Sequence, residues 1–82
     1  MDEEIFVKIS YSIMASKEEA IKKALEFIPC EASSWRELTE DKNKRQVSGV
    51  VMCEASYFAI HPCGAQRYDD TVYIEWEPPD VS

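Results

Sequence analysis

A single helical period runs through this chain, and the residues around it are patterned for strands. Ala20, Ile21, Ala24, Leu25 and Ile28 fall on one arc, with Phe27 at its edge. Ser16 is placed to cap that helix and Glu19 to bond back to it, a capping box. Glu18–Lys22 and Glu19–Lys23 are i,i+4 pairs in the favourable order, each worth about 0.2–0.5 kcal/mol. Pro29 stops the helix after about three turns. One helix can cover only one face of a sheet. The chain is therefore expected to form an α+β domain with a bare sheet face.

The strand signals come from alternation. Ile5, Val7, Ile9, Tyr11 and Ile13 alternate with Phe6, Lys8, Ser10, Ser12 and Met14, which predicts a strand from about Glu4 to Met14. Trp35–Glu40 reads as a strand in preference to a helical turn capped by Ser34, because Asp41-Lys42-Asn43-Lys44 is a hairpin turn and Arg45–Cys53 its return. Val47, Val50, Val51 and Met52 favour a strand there, and Gly49 marks a bulge. Tyr57–His61 reads as strand, Pro62-Cys63-Gly64 as a turn and Ala65–Asp70 as a loop. Thr71–Glu77 is a strand with Val72, Ile74 and Trp76 on its core face. Pro78-Pro79 ends it and leaves 78–82 as a loose tail.

The order is β-α-β-β-β, with one further strand if Tyr57–His61 stands alone. The sheet is mainly antiparallel, with an opening right-handed crossover if the first two strands lie parallel. At 82 residues, with two glycines and no repeat, the chain is one domain, ordered over about 4–77.

Sixteen acids against nine bases give a net charge of −7, which argues against direct nucleic-acid binding and against an anionic membrane surface. The charge is −3 over 1–31, +1 over 32–46 and −5 over 47–82. Met1-Asp2-Glu3-Glu4 is acidic where a signal peptide would be basic. No apolar run approaches the roughly 20 residues of a membrane span. Cys30, Cys53 and Cys63 are odd in number and read as free thiols in a reducing cytoplasm; one disulfide plus one free thiol would need an oxidising compartment.

Catalytic signals are thin. Cys53, His61 and Cys63 are weak candidates for zinc, with Cys30 as a fourth ligand if the fold brings it in, but no Cys-x-x-Cys knuckle is present. A Cys–His nucleophile built on Cys63 or Cys53 with His61 competes with a plain strand-end histidine beside a turn proline. Glu75 and Glu77 share a strand face about 7 Å apart, and Asp69-Asp70 precede them. A general acid among them would need an apolar pocket, and two isolated glycines cannot form a phosphate loop. The expectation is a non-enzyme with no cofactor.

Binding signals are stronger. Asp69, Asp70, Glu75, Glu77 and Asp80 can form a stripe of carboxylates that imitates nucleic-acid phosphates in a partner's basic site. The plain alternative is solubility alone. Phe6, Met14 and part of the Tyr57, Phe58 and Tyr73 set are expected on the bare face. Trp76 belongs in the core. Trp35 is either an exposed anchor for a partner or a residue packed between helix and sheet.

The succession of Ile5–Met14, then Ser16-Lys17-Glu18-Glu19-Ala20-Ile21-Lys22-Lys23-Ala24-Leu25, then an antiparallel set resembles many small phage-encoded proteins. Among these are host-takeover proteins that inhibit transcription and some anti-CRISPR proteins. The resemblance covers about the first forty residues and rests on pattern. It implies a protein that binds a large host machine and blocks it without catalysis, and it carries over no functional residue. The expected function is thus an inhibitor that binds a basic, nucleic-acid-handling site through Trp35, Asp69, Asp70, Tyr73, Glu75 and Glu77. The alternatives are an assembly subunit that dimerises through the bare face or an edge strand, and a zinc- or cysteine-dependent module.

Overall fold

The computed structural model describes residues 2–54, 56 and 64–77. The expected strand Tyr57–His61, the turn residues Pro62 and Cys63, and the tail lie outside the described residues. The elements are β1 (Asp2–Tyr11), α1 (Lys17–Phe27), β2 (Cys30–Asp41), β3 (Gln46–Glu54), β4 (Gly64–Arg67) and β5 (Val72–Glu77). They form an α+β fold in which α1 packs on one face of a five-stranded sheet of order β2-β3-β1-β5-β4. Every neighbouring pair is antiparallel. Since β3 lies between them, β1 and β2 run in the same direction, and the helical crossover spans one intervening strand.

The helix-covered face follows from the alternation. Ile5, Val7 and Ile9 on the central strand meet Val51, Gly49 and Val47 on β3. Ile9 and Val7 also meet Ile74 and Trp76 on β5. All of these except glycine belong to one buried cluster, and each large aliphatic there contributes about 1.5–3 kcal/mol. Ala20 and Ala24 are fully buried, and their small side chains let α1 approach the sheet closely. Phe27 lies at the edge of this contact, its ring 5.8 Å from that of Trp76.

Local chemistry sets the helix ends. Ser16 Oγ accepts from the Glu19 N–H at 3.1 Å, and Ile28 leaves the helix in extended geometry ahead of Pro29. Two lysines then fasten the helix sideways. Lys17 Nζ lies 2.9 Å from Glu37 and 3.0 Å from Glu40, both on β2. Lys23 Nζ lies 2.8 Å from Asp69 in the β4–β5 turn.

Four expectations need correction. The first strand ends at Tyr11, short of Met14. Ser12 breaks it, because its hydroxyl accepts from the Met14 N–H and its carbonyl from the Ala15 N–H. Ile13 and Met14 are therefore 76% and 78% exposed in a turn, and Met14 is not on the bare face. The strand after the helix is longer than Trp35–Glu40 because its pairing with β3 continues at both ends. The expected loop Ala65–Asp70 begins as strand: Gly64–Arg67 pairs with Trp76–Tyr73. Finally, the bulge marked by Gly49 sits across from it, where β2 slips register between Glu37 and Thr39.

Candidate interaction face

The face without the helix can be read as rows across the sheet, since directly paired residues point the same way. One row is Glu31, Met52, Glu4. The next is Arg36, Val50, Phe6, Glu77. Then come Thr39, Ser48, Lys8, Glu75, Ala65, and last Asp41, Gln46, Ser10, Tyr73, Arg67. Phe6 is 40% exposed and Tyr73 38%. Val50 is buried between its neighbours, and Met52 is half-buried.

The rows differ in character along the strands. The first two hold the apolar side chains Met52, Val50 and Phe6, flanked by Glu4, Glu31 and Glu77, and Glu54 follows Met52 by one full strand period. Arg36 is the only cation in those rows, and its guanidinium lies 3.8 Å from Glu4. Among the described side chains this end of the face thus carries four carboxylates against one guanidinium. In the third row Lys8 lies 3.7 Å from Glu75, an exposed pair of little net energetic worth. The fourth row is polar.

The expected site residues separate. Tyr73, Glu75 and Glu77 lie together on the helix-free face, on β5. Trp35 does not join them. Its ring lies over Gly49 on the helix side, where a Cβ on that glycine would come within 2.6 Å of it, and it packs half-buried against the core. Asp69 is turned to internal work. One carboxylate oxygen accepts from the Thr71 N–H at 2.7 Å, the Thr71 hydroxyl at 2.6 Å and the Val72 N–H at 3.0 Å. The other accepts from Lys23. The Lys23 ammonium, with the Thr71 donors, holds the Asp69 carboxyl well below the usual range. In return Asp69 pushes the Lys23 pKa up, as Glu37 and Glu40 do for Lys17. Asp70 is exposed beside a shallow depression of about 240 Å³ that Arg67 and Tyr73 also line. The continuous stripe from Asp69 to Glu77 is therefore not formed, because Asp69 and Glu77 sit at opposite ends of β5 and Asp69 faces the helix.

Pattern reading missed Glu4, Glu31, Glu54, Val50 and Met52. Alternation along β1 already places Glu4 with Phe6. Placing Glu31 beside them needs the β2–β3 register, which two irregularities obscure.

Of the zinc candidates, Cys53 is buried at 1% exposure and paired across strands with Cys30; His61 and Cys63 lie outside the described residues. Among the described residues no group of three or more potential ligands is placed to hold a metal ion. Among them, too, no helix is long and apolar enough to cross a membrane. Compared with known proteins, the chain matches no family model, no curated protein and no solved structure.

Proposed function

We propose that this chain is a small non-catalytic interaction protein that docks the acidic end of its helix-free sheet face on a basic surface of a partner protein. The observation behind this reading is the pair of rows in which Met52, Val50 and Phe6 are bordered by Glu4, Glu31 and Glu77. An apolar centre with a charged rim is the anatomy of a protein interface. The net negative charge selects a cationic partner and speeds its approach. A second copy of the chain would bring like charges together, so a different protein is the better occupant. Edge-to-edge pairing is also opposed. The longer edge strand, β2, breaks its ladder twice, between Glu31 and Arg36 and between Glu37 and Thr39.

The finer reading is an inhibitor that occupies a nucleic-acid-handling site, as the resemblance to phage-encoded host-takeover and anti-CRISPR proteins implies. Carboxylates set at strand spacing support it, because they can fill a channel built for phosphates.

Charge reversal tests the docking face. Glu31→Lys with Glu77→Lys is expected to weaken capture of the native partner by about tenfold or more, with wild-type binding itself falling as salt rises. Glu18→Lys with Glu26→Lys makes the same change in net charge on the exposed side of α1 and is expected to retain binding. Equal loss in both double variants would show that total charge matters and the face does not.

A further inference from the structure

Beneath the acidic end, on the helix side of the sheet, lie two thiols that the docking reading does not use. Cys30 begins β2 and Cys53 is its direct partner on β3. Directly opposed residues in an antiparallel ladder have Cα atoms about 4.5–5.5 Å apart, which falls within the roughly 4.4–6.8 Å that a disulfide spans. Cys53 is buried in the core, whereas Cys30 is half-buried at its edge. The Cys30 thiol donates to the Leu25 carbonyl at 3.6 Å, which ties its sulfur to the last turn of α1.

We infer that Cys30 and Cys53 form a reversible dithiol–disulfide site whose oxidant is a hydroperoxide. Cys30 is the attacking sulfur, because it is the less buried of the two. A hydrogen bond from the Cys53 thiol lowers the Cys30 pKa, against the opposing effect of burial, and so favours the nucleophilic thiolate. The thiolate attacks the O–O bond of hydrogen peroxide. An S–O bond forms, hydroxide leaves and takes up a proton as water, and Cys30 becomes a sulfenic acid. The Cys53 thiol then gives up its proton and attacks that sulfur. The S–S bond forms and the second oxygen leaves as water. Two thiols lose two electrons in all, and one peroxide becomes two waters. The product ties the start of β2 to the end of β3, the two segments that also carry Glu31 and Glu54. The site stands independently of the docking face, since it needs only the register and the lesser burial of one sulfur.

The test is mild hydrogen peroxide treatment of the folded full chain, followed by non-reducing peptide mapping. The expected product is a Cys30–Cys53 link with the loss of two hydrogens, reversed by dithiothreitol and accompanied by a higher urea midpoint. The same link is expected in Cys63→Ser. In Cys53→Ser, a sulfenic acid that dimedone captures is expected to accumulate at Cys30. A Cys30–Cys63 link, oxidation of Cys30 to sulfinic acid with Cys53 left as thiol, or formation of the link only in urea would each overturn the inference.

Discussion

At the residue scale, the two tryptophans and two glycines of the chain are matched. The Trp35 ring occupies the space above Gly49, and the Trp76 ring the space above Gly64, where an added Cβ would come within 2.5 Å of it. A bare backbone under an aromatic ring lets each indole lie flat across the neighbouring strand. Gly49→Ala and Gly64→Ala are each expected to destabilise the fold by about 1–3 kcal/mol through overpacking, read as a lower urea midpoint at unchanged slope. Trp76 is legible as core from its alternation with Val72 and Ile74. Trp35 stays open between exposed anchor and packed residue, because its neighbours Ser34 and Arg36 are polar and the glycine it covers lies on another strand. Asp69 yields a prediction of pH dependence. Its pKa is lower in the folded chain than in the unfolded one, so its contribution is complete above about pH 4 and is lost as pH falls through the folded value. The gap in urea midpoint between the wild type and Asp69→Asn should be widest near neutrality and narrow in acid. A gap that stays constant into strong acid would contradict the assignment. Lys17 and Lys23 have the opposite sign: their pKa values are raised, and their contribution is lost only as pH climbs past the ordinary lysine range.

At the element scale, β2 departs furthest from regular geometry. Four residues, Ala32 to Trp35, separate its paired positions Glu31 and Arg36, while β3 passes only Val51 between Met52 and Val50. Ser34 closes this gap. Its hydroxyl donates to the Glu31 carbonyl at 2.5 Å and accepts from the Met52 N–H at 2.8 Å, so a side chain takes the place of a missing rung. Ser34→Ala removes the acceptor for that N–H and is expected to cost about 1–3 kcal/mol. Amide hydrogen exchange at Met52 should rise more than at Val47, at the regular end of the ladder. Equal rises would show that the hydroxyl has no local role. The strands that alternation reveals, β1 and β5, have one face in the core and the other more open, whereas β3 is buried on both faces over residues 47–51. β4 is invisible to pattern because Gly64, Ala65, Gln66 and Arg67 have little strand preference, and pairing with β5 supplies what propensity does not. The helix is legible from its Ser16 cap, its apolar arc and its stop, since all three are local. Ile13 misleads because its alternation runs on after the chain has left the sheet at Ser12.

At the scale of the whole molecule, topology gathers acids that are far apart in the chain. Placing β1 between β3 and β5 brings Glu4, Glu54 and Glu77 to one end, and β2 adds Glu31 across Met52. A linear count of charge assigns the excess to the last third of the chain, whereas in space it is shared by four strands. That patch depends on register, which no local pattern encodes, so the fold class is legible in the sequence and the candidate site only in part. The methionines provide an internal control for the docking account. Met52 lies in the acidic rows, whereas Met14 is exposed in the turn at the other end of β1. The most direct measurement is hydroxyl-radical footprinting of the chain bound to its partner. The account predicts strong protection of Met52 and Phe6, with Met14 reacting as it does in the free chain. Protection of Met14 with Met52 and Phe6 unchanged would place the partner elsewhere and contradict it.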